Sequence, residues 1–230
     1  MNTMFSTLLQ LPLFQGLSQE DFTNILGRVR LHFSKHKEGE IIIHEKEPCT
    51  KLVFLLQGEI TATTISEDKT FSLAEKFQGP YLVEPYSLFG MNTNYRSTYT
   101  ASSNIGMVSI DKIFILKELF KYEIFRLNFA NMICSKIQSF YKKTWNLAPE
   151  SVEDKIVRFV LTLIEKPEGE KSIKIRMEDL ARHVDDTRLN VSKALNDLQE
   201  KGLVELNRKE IFIPNGLSLL ERKKPEPEHT

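Results

Sequence analysis

The sequence predicts an α+β protein made of an N-terminal β-roll of the jelly-roll type, one long helix and a C-terminal winged helix-turn-helix. Three observations support this prediction. Short apolar runs separated by turn signals fill residues 31–111. Helical periodicity then holds from about residue 115 to about residue 147. Two short helical patterns and a strand pair follow. We expect domains at 1–118, 119–148 and 149–230.

Composition limits the class of protein. The 230 residues suffice for two modest domains, and 41% hydrophobic with 27% charged residues is ordinary for a globular protein. Because Cys49 and Cys134 lie far apart, neither a disulfide framework nor a zinc site is indicated. The N-terminus lacks a basic start and a long apolar run, so we expect a cytoplasmic protein without a membrane span. The formal net charge of +0 means that any affinity for nucleic acid must come from a local basic patch.

The N-terminal region predicts helices that cap a β-domain. Ser18-Gln19-Glu20-Asp21 is typical of a helix start, and Phe22 and Ile25 supply apolar residues at helical spacing. The segments IIIHE, LVFLLQGEITATTI, FSLAEKF and GMVSI then read as strands. Strands so closely spaced leave no room for crossover helices, which favours a small barrel or jelly roll.

The long helix carries an apolar stripe that is too wide for a helix lying alone on one sheet. We expect one surface to pack on the roll and the other to form a homodimer seam. The alternative is a helix sandwiched between two domains of one chain. The predicted seam residues are Ile133, Ile137, Phe140 and Thr144.

The C-terminal part predicts a helix pair and a wing. The first helix breaks at Asp185-Asp186-Thr187, and Thr187 is placed to be the N-cap of the second. The second helix has an apolar stripe formed by Val191, Ala194, Leu195 and Leu198. Two alternating segments around Asn207-Arg208-Lys209 predict a hairpin with a basic tip.

The polar face of the second helix suits the major groove of DNA. Arg188 and Lys193 have donors for guanine edges, and Asn190 or Ser192 can reach a base or a phosphate. Arg208 and Lys209 are placed to meet the DNA backbone from the wing. The alternative is an ordinary helical domain whose polar face is only hydrated.

The order of these parts resembles the cyclic AMP receptor protein/Fnr (Crp/Fnr) family of bacterial transcription regulators over nearly the full chain. The resemblance rests on PLFQGLSQEDF, KEGEIIIHE, LVFLLQGEI and RHVDDTRLNVSKALNDLQEKGLV. It implies a cyclic-nucleotide-binding-like roll and a homodimer. It places Arg188, Leu189, Ser192 and Lys193 at base edges, with Thr187 and the wing at phosphates. Leu189 departs from the acidic residue usual there, so the family's preferred half-site does not carry over. In the turn, Asp185 stands where the family often has glycine.

The same resemblance points to an effector pocket in VEPYSLFGMNTNYRSTYTA. Glu84, Arg96 and Ser97 match the family's ribose and phosphate ligands, and Tyr141 lies near the position that contacts the base. However, Val83 replaces a glycine, a proline follows Glu84, and the spacing to Arg96 is longer than usual. We therefore expect Glu84 and Arg96 to form a partly exposed structural pair, with no certain cofactor and cyclic nucleotide disfavoured.

The sequence also bears on two other cofactors for the roll. The oxygen-sensing branch of the family needs several cysteines for its cluster, and this sequence has two. Haem stays open, with His32, His36 or His44 as an axial ligand, although histidines at such positions are usually only polar.

Two functions follow. The first is a homodimeric regulator that reads pseudo-palindromic double-stranded DNA, with RNA polymerase implied as a partner if it activates transcription. The second is a ligand-sensing module that acts on a protein partner, favoured by the neutral net charge and by Glu178, Asp179 and Asp197 near the second helix. No nucleophile with an adjacent base, metal-ligand cluster or phosphate loop occurs, so we expect no enzyme.

Overall fold

A computed structural model describes residue 9 and residues 11–144 and 151–222. The chain divides into two compact units. The first contains the residues up to 62 together with 77–140, and the second contains 63–76 together with those from 141 onward. Segment 63–76 joins the second unit although it lies within the predicted roll sequence.

An N-terminal helical segment covers the roll, as predicted. Helix α1 (Gln19–Arg28) begins at Ser18, whose Oγ accepts a hydrogen bond from the Asp21 backbone N–H at 3.0 Å. A short 3-10 turn, Pro12–Phe14, precedes it. Phe14 contacts Phe54 and Phe125 with ring centroids 5.7 and 5.6 Å apart, in one continuous core with the strands.

The roll is built from short antiparallel strands. Its first sheet has the order β1-β8-β3-β6, and β4, β7 and β2 are neighbours in a second sheet. Gly58 turns the chain between β3 and β4 with φ +86°, and an added Cβ there would lie 2.6 Å from the carbonyl oxygen of Asn104. The strands are β1 (Leu31–His36), β2 (Ile41–Ile43), β3 (Lys51–Gln57), β4 (Glu59–Ile65), β5 (Phe71–Gln78), β6 (Tyr81–Val83), β7 (Thr98–Ala101) and β8 (Ile105–Asp111).

The helical region after the roll is interrupted once. Helix α2 (Lys112–Lys117) and a 3-10 turn at Leu119–Lys121 precede the long helix α3 (Glu123–Thr144). The prediction of unbroken helical structure from residue 115 was therefore wrong at this turn. Leu119 in this turn and Phe125 in α3 are both fully buried, so the interrupted stretch places both side chains in the core.

The second unit contains the predicted winged helix-turn-helix. Its helices and strands are α4 (Val152–Leu163), β9 (Lys171–Ile175), α5 (Met177–His183), α6 (Arg188–Glu200), β10 (Glu205–Asn207), β11 (Glu210–Ile213) and α7 (Gly216–Glu221). Helix α4 begins with a capping box between Ser151 and Asp154. Helices α5 and α6 and the hairpin β10–β11 confirm the predicted winged helix-turn-helix. We call α6 the reader helix, or reader.

Strand pairing in the second unit includes a strand that the periodicity did not indicate. Strand β9 pairs antiparallel with β11 on one side and with the first part of β5 on the other. The β5 register runs from Phe71 opposite Ile175 to Glu75 opposite Lys171. The wing sheet therefore has the order β10-β11-β9-β5.

Candidate nucleic-acid interface and roll pocket

The start of α6 is determined by its cap. The Thr187 hydroxyl accepts a hydrogen bond from the Asn190 backbone N–H at 3.2 Å, which confirms the predicted N-cap. Just before it, Asp185 adopts the left-handed conformation with φ 50°, which aspartate tolerates better than most residues. The turn therefore ends α5 and orients α6 within a few residues.

Asp186 is the hydrogen-bonding centre of this turn. Its carboxylate accepts from the Thr187 backbone N–H at 2.8 Å, the Asn190 amide at 2.9 Å and the Lys155 ammonium at 3.1 Å. The Asn190 hydrogen bond, followed by those from Thr187 and Lys155, holds the pKa of Asp186 below its usual range. Asn190, predicted to contact the DNA backbone, thus binds Asp186 in the free protein.

The rear face of α6 is packed into the core of its unit. Val191, Leu195 and Leu198 are fully buried, and Ala194 is nearly so. They share one cluster with Ile156, Val157 and Val160 of α4 and with Leu180 and Ala181 of α5. Burying each such valine or leucine contributes about 1.5–3 kcal/mol. The packed rear face holds α6 in place and leaves its opposite face outward.

The outward face of α6 brings together the predicted base-reading residues. Arg188, Leu189 and Lys193 are exposed and Ser192 is half-buried. The Arg188 guanidinium lies 3.3 Å from the Glu178 carboxylate, in an ion pair whose side chains are 69% and 59% exposed. Leu189 is 79% exposed, which is unusual for a large apolar side chain and leaves it available for contact.

The wing presents the two predicted basic residues. Asn207 pairs with Glu210, so Arg208 and Lys209 form the two-residue loop, and both are exposed. Lys209 has φ 61°, a left-handed conformation that two-residue hairpin loops commonly require. The Gln199 side chain on α6 accepts a hydrogen bond from the Leu206 backbone N–H at 2.8 Å, which links the wing to the reader helix.

Two of the acids near α6 are already engaged. Asp179 is buried, and its oxygens accept from Arg176 Nε at 2.6 Å and from an Arg182 guanidinium N–H at 2.7 Å. The Arg176 hydrogen bond is the main cause that lowers the pKa of Asp179. Glu178 forms the ion pair with Arg188. Asp179 therefore has a structural role at the start of α5.

Three of the four predicted effector residues meet at a buried hydrogen-bonded site around Glu84, Arg96 and Ser97 through their backbone N–H groups. Its carboxylate accepts from the backbone N–H groups of Arg96 at 2.9 Å and Ser97 at 3.0 Å. The hydroxyls of Ser87 and Tyr99 donate to it at 2.8 and 3.1 Å. The sequence pattern does not indicate Ser87 or Tyr99 as part of this site, although Ser87 follows Glu84 by one helical turn.

The expectation of a partly exposed Glu84–Arg96 side-chain pair was wrong. Glu84 is 0% exposed, whereas the Arg96 side chain lies at the surface. The connection runs through the Arg96 backbone N–H, because backbone donors already surround the carboxylate. Tyr141, the fourth predicted pocket residue, is 59% exposed on α3.

The predicted seam residues lie along α3 as an exposed apolar row. Ile137 and Phe140 are 50% and 57% exposed, and Ile133 is half-buried. Leu127 is also exposed, at 53%, but belongs to a neighbouring face of α3. The side chain of Thr144 lies outside the described residues.

The three candidate haem histidines have ordinary polar surroundings. His32 Nε2 lies 3.0 Å from the Asp111 carboxylate, and His36 contacts Ser34 and Glu40 through its two ring nitrogens. His44 is exposed. Within residues 11–144 and 151–222, no group of three or more His, Cys, Asp or Glu side chains is arranged to hold a metal ion. In the same ranges no helix is both long and apolar enough to cross a membrane.

Two family models match this chain. A Crp-like helix-turn-helix domain matches residues 154–222, and a cyclic nucleotide-binding domain matches residues 33–122. The two matches occur in the order roll then reader and together span well over half of the chain. The chain belongs to the Crp/Fnr family of transcriptional regulators.

Individual relatives of this Crp/Fnr protein are distant. The global nitrogen regulator of Synechococcus elongatus is 23% identical over 211 residues, covering 84% of this chain and 90% of that protein. The sensor domain of the regulator DNR from Pseudomonas aeruginosa has a TM-score of 0.50 at 15% identity, covering 62% of this chain and 99% of that domain. The catabolite activator protein of Thermus thermophilus has a TM-score of 0.49 at 17% identity, covering 92% and 97%. At these identities the DNR sensor domain supports a shared fold alone.

Proposed function

We propose that this Crp/Fnr protein is a cytoplasmic homodimer that reads a pseudo-palindromic site in double-stranded DNA through α6. The observation that supports this most is the division of α6 into a packed apolar face and an exposed face with Arg188, Leu189 and Lys193. A helix enters the major groove only if its outward side chains are polar and its back is held by the domain. We assign the protein no catalytic activity.

The side chains have distinct roles in this proposal. Arg188 and Lys193 donate hydrogen bonds to base edges, and exposed Leu189 supplies an apolar contact of the kind that a thymine methyl group accepts. Arg188 first leaves Glu178, which costs little because the pair is largely exposed. The wing residues Arg208 and Lys209 contact phosphates.

The neutral net charge does not favour the alternative of a protein partner over DNA. Asp179 is buried between two arginines and offers no uncompensated negative charge beside α6, while Glu178 is paired with Arg188 only in the free protein. The exposed cations at the helix and the wing tip therefore supply the local basic patch that DNA binding needs.

The first test measures binding to double-stranded DNA sites selected from a random pool, by fluorescence anisotropy at several salt concentrations. Contact with phosphates makes the logarithm of affinity fall with the logarithm of salt concentration, with a slope of about −0.9 for each neutralised phosphate. Lys193→Ala should weaken binding to the selected site by about 1–3 kcal/mol if this side chain reads a base.

The control is Lys35→Ala, which removes an exposed lysine from strand β1 of the roll. This variant should bind the selected site like the wild type. If Lys193→Ala instead lost the same affinity for all DNA sequences, Lys193 would contact a phosphate and not a base. If no site can be selected and salt has no effect on binding, the protein-partner alternative is favoured.

Family membership suggests two further properties. An activator of this family would contact RNA polymerase as a second protein partner. A small molecule sensed by the roll would alter the spacing of the two readers, which stand about 34 Å apart on successive major grooves.

A further inference from the structure

Glu84 is a buried carboxylate whose oxygens are fully supplied with hydrogen bonds. Among the described residues, Arg96 and Ser87 donate to one oxygen, and Ser97 and Tyr99 donate to the other. The donors are two adjacent backbone N–H groups and two hydroxyls, and no ion pair to Glu84 occurs in the described part of the chain. Such an arrangement is an anion-binding cradle, because consecutive backbone N–H groups that converge on one point favour a negatively charged oxygen.

The backbone at Glu84 is strained in order to reach this cradle. Glu84 has φ 32° and ψ 57°, a left-handed conformation, and Pro85 follows it. A proline disfavours helical conformations in the residue before it. A residue other than glycine held in such a region persists only when its surroundings compensate. The hydrogen bonds to the carboxylate supply that compensation.

The two backbone donors of the cradle already bind the Glu84 carboxylate. The carboxylate is 0% exposed and fills the donors of Arg96 and Ser97. An external phosphate or carboxylate could bind these N–H groups only by displacing the Glu84 carboxylate. The displaced carboxylate would then be buried beside a like charge and without hydrogen-bond donors.

We propose that Glu84 is a resident anion, a carboxylate of the chain itself that occupies the anion cradle of the roll in place of an effector. The roll then takes no anionic ligand at this site, and cyclic nucleotides do not bind there. Removal of the carboxylate opens a site for a small carboxylate such as formate. This inference concerns the roll and does not depend on DNA binding.

The test is chemical rescue of Glu84→Ala, followed by thermal unfolding. We expect the Tm to fall by about 5–10 °C, because buried N–H and hydroxyl donors lose their acceptor. Sodium formate should then raise the Tm saturably by mass action, whereas sodium chloride at equal ionic strength should not. The control is Glu67→Ala, which removes an exposed glutamate and should show neither the fall nor the rescue.

Glu84→Gln tests the same site with a side chain of the same shape. Its amide N–H group would face the N–H and hydroxyl donors that bind the carboxylate in the wild type, so the Tm should fall. Formate should not restore the Tm, because the glutamine side chain fills the space of the carboxylate. If Glu84→Ala folds only in the presence of formate, that result supports the proposal, and the Tm of Glu84→Gln then provides the second test. A wild-type Tm in Glu84→Gln, or no rescue of folded Glu84→Ala, would overturn it.

The wild-type protein provides an independent measurement. Titration with cyclic AMP or cyclic GMP should leave its Tm unchanged, and Arg96→Ala should behave in the same way. A saturable rise in the wild type that Arg96→Ala abolishes would contradict a resident anion.

Discussion

Individual carboxylates in this protein have roles that depend on their donors. Glu84, Asp179 and Asp186 each accept several hydrogen bonds, and each holds a tight piece of backbone or a helix terminus in place. The sequence showed these residues as acids near functional positions, with no indication of which were enclosed. Glu84, which we expected in a partly exposed pair, is instead fully buried and is the acceptor at the centre of the roll site.

At the residue scale we predict an acid-dependent contribution of Asp179 to stability. The pKa of Asp179 lies below its usual value of 3.8 in the folded protein because Arg176 and Arg182 stabilise the ionised form. Its contribution is therefore complete above the unfolded pKa and is lost as pH falls through the lowered folded pKa. Asp179→Asn should lower the Tm at neutral pH, and the difference from wild type should shrink below about pH 4.

Thermal unfolding from acid to neutral pH checks this prediction. Glu178→Gln, which removes the exposed acid beside Asp179, should change the Tm only slightly. A difference between wild type and Asp179→Asn that stays constant down to the lowest pH would show that the lost contact is not the ionised pair.

Among the elements, strand β5 has the least expected position. Its first residues complete the wing sheet, where Phe71 contacts Phe159 with ring centroids 5.4 Å apart and His183 with ring centroids 5.2 Å apart. Glu75 accepts the Glu165 backbone N–H at 2.9 Å and lies 3.8 Å from the ammonium of fully buried Lys171. The second unit therefore needs the first part of β5 for its packing and to balance the buried charge of Lys171.

At the element scale we predict that Glu75→Gln destabilises the second unit by about 3 kcal/mol or more, because it leaves the Lys171 ammonium buried without a carboxylate. Burial lowers the pKa of Lys171, and Glu75 opposes that effect. Chemical denaturation measures the loss of stability, and hydrogen exchange of the β9 amides, measured separately, locates it in the second unit.

A matched control lies at the end of the same strand pair, one residue before β9. Glu170 pairs with Lys76 at 2.6 Å, but both side chains are more than 40% exposed. Glu170→Gln should therefore cost at most about 1 kcal/mol. Equal losses in the two variants would mean that burial of Lys171 does not determine the effect. In the Glu75→Gln background, Lys171→Met should recover stability.

At the scale of the whole molecule, the exposed apolar row on α3 supports the proposed dimer. Ile137 and Phe140 each have about half or more of their side chains exposed in the single chain. A symmetric pair of α3 helices would bury this row and set the distance between two readers. A helix sandwiched between domains of one chain is the alternative to this seam.

We predict that Phe140→Asp dissociates the dimer and weakens binding to a palindromic site, because two buried carboxylates would face each other at the seam. Light scattering after size exclusion measures the mass. Ser135→Asp adds the same charge at an exposed position on the opposite face of α3 and should leave the mass unchanged. A dimeric Phe140→Asp protein would place the seam elsewhere.

The sequence by itself determined the features that local physics controls. The order of roll, long helix and winged domain, the helix break at Asp185-Asp186-Thr187, the N-cap at Thr187 and the basic wing tip follow from periodicity, side-chain capping and turn chemistry. Each depends on residues within a few positions of one another. The α6 residues that we propose to read bases could be selected for the same reason.

Only the tertiary structure decided where β5, Lys171 and Glu84 belong. The alternation in FSLAEKF suits either a roll strand or a strand of the wing sheet, and its partner β9 lies about a hundred residues away in the chain. The donors around Glu84 include backbone N–H groups twelve and thirteen positions later, which carry no side-chain signal. Non-local strand pairing and backbone hydrogen bonding leave no local pattern, so these features became definite only when the chain was folded.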